Sequence, residues 1–370
     1  MQGSLPQNFS MKKLLLFLYS LSVSYLLHAS PADSVKSSRH KKIQAKFIPV
    51  VSYAPETRFL GGIGGLITFQ MCHEDTMTHH SLIEAFVAYT QNNQDYIYVP
   101  YQLYTWHNNY YFEGEIDYYN YSYYYWGIGT DRVPKELYNV RFPRISMNGY
   151  RKVLPHFYAG VDYYYENDVI WKTAEGGALQ AGNVLGSKGS ASSGAGIDLL
   201  YDTRDSIYFP RKGWYIKATS YLNSPALGST YSFNKITGDI SWYKSLSHRL
   251  VLAANEHTQL TWGDVPFTQL ALVGGSKQMR GYYTGYYRDD DLTYLQAELR
   301  FHLKGRFALV AFGSTGLMGN AHVFPESPIP IHAEGIGLRY NYNVKHHINV
   351  RGDVGFGNTL EYYLTIQEAF

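Results

Sequence analysis

Several stretches carry residue types that ligate metals, activate water or hold charge. Cys72, His73, Glu74, Asp75, His79 and His80 put thiolate, imidazole and carboxylate donors on one connection. Their spacing matches no standard zinc site, and they read as a solvated turn. His107, His257, His322 and His332, with abundant serines, hold the raw material of a hydrolase. Hydrolysis needs a nucleophile or acid pair beside an oriented histidine. No ordered Ser-His-Asn or Asp-His pattern stands out, so the chain reads as a non-enzyme with no catalytic residue, metal or cofactor. Asp202, Arg204 and Asp205, followed by Pro210 and Gly213, form a charged cluster that reads as a self-satisfied turn, proline and glycine serving its geometry. His346 and His347 read as a polar turn, and the Gly/Ala/Ser-rich run 176–194 as a flexible loop. Arg280, Gly281 and Tyr282 lie in a connection, 262–291, far longer than the two to six residues usual between elements, so it needs a reason.

Composition bounds what can position these groups. The chain has 370 residues, and only 17% are charged, against about 25% in soluble domains. Aromatics reach 16%, with 37 Tyr beside 34 Gly, which argues against disorder. A formal charge of +2 without a basic stripe implies no nucleic-acid partner. The single Cys72 excludes an intramolecular disulfide framework. Mean hydropathy is −0.28, and no apolar run after residue 30 approaches the ~18 residues of a membrane helix, which excludes a helical membrane protein.

The first thirty residues read as an address. Lys12 and Lys13 precede the Leu-rich stretch Leu14 to Leu27, and small residues follow at Ala29, Ser30 and Ala32. This is the pattern of a secretory signal peptide over 1–30, with Met11 as an alternative start. Residues 31–45 are then a short periplasmic segment, and 46–370 the folded part.

From there onward the sequence alternates. Leu295, Ala297, Leu299, Phe301 and Leu303 share one face of 292–303, with Tyr294, Gln296, Glu298, Arg300 and His302 on the other. The strands expected are 46–53, 61–70, 82–90, 95–106, 109–120, 139–152, 155–166, 194–204, 213–222, 230–243, 249–261, 292–303, 306–317, 333–342, 346–354 and 361–370. A soluble sandwich buries the apolar face, whereas an outer-membrane barrel turns it to lipid. Three features favour the barrel. The last strand sets Leu364, Ile366 and the final Phe370 on one side. Tyr and Trp crowd strand ends at 123–126 and 282–287, where aromatic girdles belong. The long connections 121–138, 167–193, 262–291 and 318–332 all follow odd-numbered strands, as extracellular loops do when short turns face the periplasm. The expected fold is all-β: a sixteen-stranded antiparallel transmembrane β-barrel of the bacterial outer membrane, with lipid around it.

Two passages carry a family resemblance. Met279-Arg280-Gly281-Tyr282, then Gly285 and Tyr287-Arg288-Asp289, resembles the Arg-Gly-aromatic motif of the sixth extracellular loop in the BamA/TamA outer-membrane assembly-factor superfamily. Asp202-Thr203-Arg204-Asp205, then Phe209-Pro210-Arg211-Lys212-Gly213, resembles that family's turn between strands eight and nine. Pro55-Glu56-Thr57, Tyr125-Trp126-Gly127-Ile128-Gly129 and the ending Ile366-Gln367-Glu368-Ala369-Phe370 match in the same order, so the resemblance spans nearly the whole mature chain.

The resemblance implies that Arg280 folds back into the lumen and pairs with wall acids. Glu298, already on the polar face, aligns with one; the second should fall near Ser314, which is no acid, so that either another group compensates or the lock is looser. It also implies POTRA domains ahead of the barrel, and 31–45 cannot hold one. The expected function is assistance in outer-membrane biogenesis, inserting or translocating polypeptide or lipid, with periplasmic or outer-membrane partners supplying the missing docking domains. The alternative is a passive channel or structural barrel.

Overall fold

A computed structural model describes residues 43–54, 57–71, 78–320, 328–343, 348–366 and 368–370. The leader, Pro55-Glu56, Cys72 to Asp75, His322, His346-His347 and Gln367 lie outside the described residues.

The strands are β1 (Ile43–Ala54), β2 (Arg58–Phe69), β3 (Ser81–Thr90), β4 (Asp95–Thr105), β5 (Tyr110–Ile128), β6 (Asp131–Leu154), β7 (Phe157–Lys172), β8 (Ser190–Asp202) and β9 (Gly213–Asn223). They continue as β10 (Phe233–Ser245), β11 (Leu250–Gly263), β12 (Ala271–Leu272), β13 (Arg288–Asp289), β14 (Asp291–His302) and β15 (Phe307–Gly319). The last are β16 (Ile329–Asn343), β17 (Ile348–Phe356) and β18 (Leu360–Ile366). All but β12 and β13 form one 16-stranded sheet in which each strand pairs with its sequence neighbours, running in order from β1 to β18. Every recorded pairing is antiparallel, as in β14 against β15, where Glu298 faces Phe312. A short helix, α1 (Ala178–Ala181), sits between β7 and β8. Among the described residues no helix is long and apolar enough to cross a membrane.

Burial along the strands decides the orientation of the sheet. On β14, Gln296, Glu298 and Arg300 are buried while Leu295, Leu299 and Phe301 are exposed. The same inversion holds for Arg339 against Ile336 and Leu338 on β16. A water-soluble sandwich would hide the leucines; this wall hides its charges and shows its leucines, as a barrel in lipid does.

Three expectations need correction. The connection expected at 121–138 is strand: β5 and β6 run 19 and 24 residues, well beyond the about 9–11 needed to cross a bilayer. Alternating tyrosines continue the ladder through a register shift between Tyr125 and Gly127. The aromatic runs 123–126 and 282–287 are not simply girdles either, because Tyr125 and Tyr282 are buried inside the barrel. Finally, β18 ends at Ile366, and Glu368 and Ala369 are buried off the sheet. Phe370 lies over Arg300, 5.4 Å from guanidinium to ring centroid, instead of sharing a wall face with Leu364.

Long connections gather at one end of the barrel, the loop end, where 173–189 and 264–290 lie. The opposite, turn end carries 155–156, 246–249 and 303–306. Among the described residues, side chains pack near both ends. Phe267 and Leu270 pack on Tyr125, Tyr138 and Phe142 near the loop end. At the turn end Tyr208 packs on Leu66 and Leu82.

Candidate functional site inside the barrel

Loop 264–290 enters the lumen as a pinned hairpin. β12 and β13 pair within it, and Val273 N donates to Tyr287 O at 3.0 Å. The tip of the long β5–β6 hairpin holds it from outside. Gly129 N donates to Arg288 O at 2.8 Å, and Arg132 Nη1 to Tyr286 O at 2.6 Å. Below this clamp the chain descends through Met279 to Arg280.

Arg280 is 1% exposed, and its guanidinium meets two acids. Nη2 donates to Glu298 Oε1, and Nη1 to Asp353 Oδ2 at 2.6 Å. Its Cζ lies 3.7 Å from the centroid of the Phe312 ring. A bidentate-capable fork suits two separate carboxylates better than an ammonium would. Of the two alternatives left by Ser314, compensation by another group is the one the structure shows. Ser314 faces Gln296 in register and donates to Ala333 O at 3.3 Å, while the second acid comes from β17.

The pair is part of a larger network that sequence reasoning missed. Glu298 Oε2 accepts from Arg300 Nε at 2.7 Å, and Asp353 Oδ1 from Arg339 Nη1 at 2.5 Å. Arg351 Nη1 lies 3.4 Å from Asp353 Oδ2. Glu368 accepts from Arg339 Nε at 2.7 Å and from Asn349 Nδ2 at 2.8 Å. Arg300 Nη2 donates to Phe370 O at 3.0 Å. Arg339 and Arg351 are direct cross-strand partners, a like-charge pairing that is unfavourable unless acids lie between them. Asp353 and Glu368 supply those acids. Arginines 280, 300, 339 and 351 thus share three carboxylates, those of Glu298, Asp353 and Glu368. The only signal in the sequence was the polar face of β16 and β17, where Arg339, Arg351 and Asp353 alternate with Leu338, Gly352 and Val354.

Gly281 and Tyr282 complete the attachment. Gly281 has φ +127°, and a Cβ there would sit 2.6 Å from the Phe356 carbonyl carbon, so only glycine lets the loop touch the wall here. Gly281 N donates to Tyr363 Oη at 3.0 Å, and Tyr363 Oη donates to Tyr282 O at 3.1 Å. Tyr282 Oη donates to His332 O at 2.8 Å.

The second motif closes on itself at the turn end. Arg204 grips Asp202 with two nitrogens, Nη2 at 2.7 Å and Nε at 3.0 Å, and lies 4.2 Å from the Tyr215 ring centroid. Asp205 Oδ1 accepts from the backbone of Arg211 and Lys212 at 2.9 and 3.2 Å. Pro210 is buried, and Gly213 takes φ +111° where a Cβ would meet Thr203 O at 2.3 Å. Phe209 stacks edge-on against His302 of β14, 5.6 Å between centroids. Among the described residues no group of three metal-ligating side chains converges. His257 Nδ1 pairs with Asp239 Oδ1 at 3.0 Å, and His332 Nδ1 with Thr315 Oγ1 at 2.9 Å.

Residues 88–343 match the model of the Omp85 superfamily domain. The chain belongs to the Omp85 superfamily. It is an outer-membrane β-barrel protein. Among solved structures, it is similar to BamA from Haemophilus ducreyi lacking POTRA domains 1–3, at 14% identity and a TM-score of 0.55. That likeness covers 95% of this chain and 78% of the other. CdiB from Escherichia coli is similar at 11% identity and a TM-score of 0.58, over 89% of this chain and 62% of that one. CdiB from Acinetobacter baumannii follows at 13% and 0.55, over 86% and 57%. The chain thus spans about three-fifths of the CdiB structures. No curated protein matches the sequence. Across this distance the Omp85 likeness is one of fold.

Proposed function

We propose that this Omp85 barrel assists outer-membrane biogenesis, inserting or translocating a polypeptide or lipid through its lumen or along the seam where β1 and β18 end the sheet order. The observation that carries the reading is the occupied lumen. Loop 264–290 is held inside by discrete ion pairs and hydrogen bonds at Arg280, Gly281 and Tyr282. A loop fastened by a few discrete polar contacts can be released as a unit. The turn end faces the periplasm in this reading, and the exposed Leu and Ile belt faces outer-membrane lipid. Periplasmic or outer-membrane partners supply the docking function. Phe370 serves as the barrel's own assembly signal before it folds inward.

The test is reconstitution in liposomes, with folding of a second barrel protein followed by protease resistance. Acceleration over empty liposomes is the expected result. High, voltage-stable conductance in planar bilayers with no acceleration would replace this reading by a passive channel. An epitope inserted after the exposed Asn183 should be reached by antibody on intact cells; recognition only after the outer membrane is opened would invert the orientation.

A further inference from the structure

Beside the ionic network, a cavity of about 170 Å³ opens at the turn end. Arg211, His302, Arg306, Arg339, Asn341 and Asn349 line it, and no carboxylate does among the described residues. The buried wall is short of acceptors. Arg339 is 1% exposed, and its Nη2 makes no hydrogen bond, the nearest recorded acid oxygen being Glu298 Oε1 at 3.7 Å. Four arginines sharing three carboxylates leave the wall behind the cavity with excess positive charge, which an anion in the cavity would offset. The site also shows what it can hold. Arg339 Nε and Asn349 Nδ2 already grip one carboxylate, that of Glu368.

We propose that this cavity receives an acidic side chain of a periplasmic protein partner, a carboxylate held by Arg211 and Arg306 at the mouth, in front of the buried, positively charged wall that carries Arg339. A peptide fits better than a lipid headgroup. Arg339 and Asn341 lie on the lumen side of β16, and the lipid-facing side is taken by Ile336 and Leu338. The volume suits one side chain and not a folded segment. Arg306 is exposed on the turn between β14 and β15, so the mouth carries charge that draws an acidic chain in. The proposal rests on the preceding reading for which side of the membrane the cavity faces.

The test uses the full chain in detergent micelles, its folding checked by gel mobility without boiling, and fluorescein-labelled hexaglutamate followed by anisotropy at low salt. The wild type should bind, and the R211A/R306A variant should bind at least ten-fold more weakly. K244A/R249A removes the same charge from the exposed part of the turn end and should bind like wild type. Equal loss in both double variants, or no binding by the wild type, would overturn the proposal. Inorganic phosphate should compete with the peptide; phosphate binding without hexaglutamate binding would make this a free-anion site. Displacement by dihexanoylphosphatidylglycerol, with hexaglutamate unable to compete back, would assign it to lipid. Hexaglutamate binding that persists while the liposome assay fails would sink the biogenesis reading and leave the pocket standing.

Discussion

Arg280 and Asp353 form a 2.6 Å ion pair across 73 positions of sequence, with both side chains buried. Each is also shared: Arg280 with Glu298, and Asp353 with Arg339 and Arg351. Removing one partner of a buried pair leaves the other charge uncompensated, so which side is removed matters.

Asp353→Asn should therefore harm the protein more than Arg280→Ala. The first leaves four guanidinium groups with two carboxylates, the second leaves three with three. The loss for Asp353→Asn should be of order 3–5 kcal/mol, and clearly smaller for Arg280→Ala. Unfolding midpoints in urea, read from the fraction of slow and fast gel species, give the ranking. Equal midpoints would mean that the network does not balance charge.

Arg280→Ala and Glu298→Ala should each open new protease sites within 264–290. In the double variant the damage should fall short of the sum, because a shared contact is lost only once. Strict additivity in cleavage rate would show that the two residues act independently.

Gly281→Ala keeps every charge and attacks only the close approach. A Cβ at φ +127° meets the Phe356 backbone, so the loop tip must lift. The expected outcome is current fluctuation in planar bilayers and cleavage near 279–283, with the barrel still folded on gels. A quiet, protease-resistant variant would refute the steric account.

Asp289, in the loop against Gly129, is pushed up to about 6 by burial. Asp290, Asp291 and Asp131 add repulsion, against the Asp290 N–H that it accepts at 2.9 Å. A carboxyl raised in the fold contributes stability fully below its ordinary value, 3.8, and loses it as pH rises through about 6. The clamp on the loop should thus hold more tightly at pH 4 than at pH 7. Protease cleavage at 129–130 should increase over that interval, and Asp289→Asn should flatten the profile. A profile unchanged by the substitution would point to another titrating group.

The sheet was legible because a strand's period shows in its side chains whichever face is buried. Leu295 to Leu303 marks an outward face as clearly as an inward one. Where the chain stopped being wall, that signal failed. Tyr121, Tyr123 and Tyr125 continue the alternation past the bilayer, so strand there was mistaken for loop. Glu298 was legible because the alternation sets it on the polar face and the family resemblance aligns it with an acid that pairs with the loop arginine. Asp353 was not: its contact with Arg280 depends on β14, β15, β16 and β17 curving around one lumen, which no local pattern records. Phe370 misled for the opposite reason, since its type suits a wall position that the turned-in segment 368–370 does not take.

The distance between Arg280 and its second acid has a consequence for the order of events during synthesis. The loop is made before β17, and its arginine has no complete set of partners until that strand joins the sheet. Full ionic seating of the loop therefore requires that β17 has joined the sheet. A chain truncated before β17 would lack the second acid of Arg280, and its loop should be more open to proteases than in the full chain.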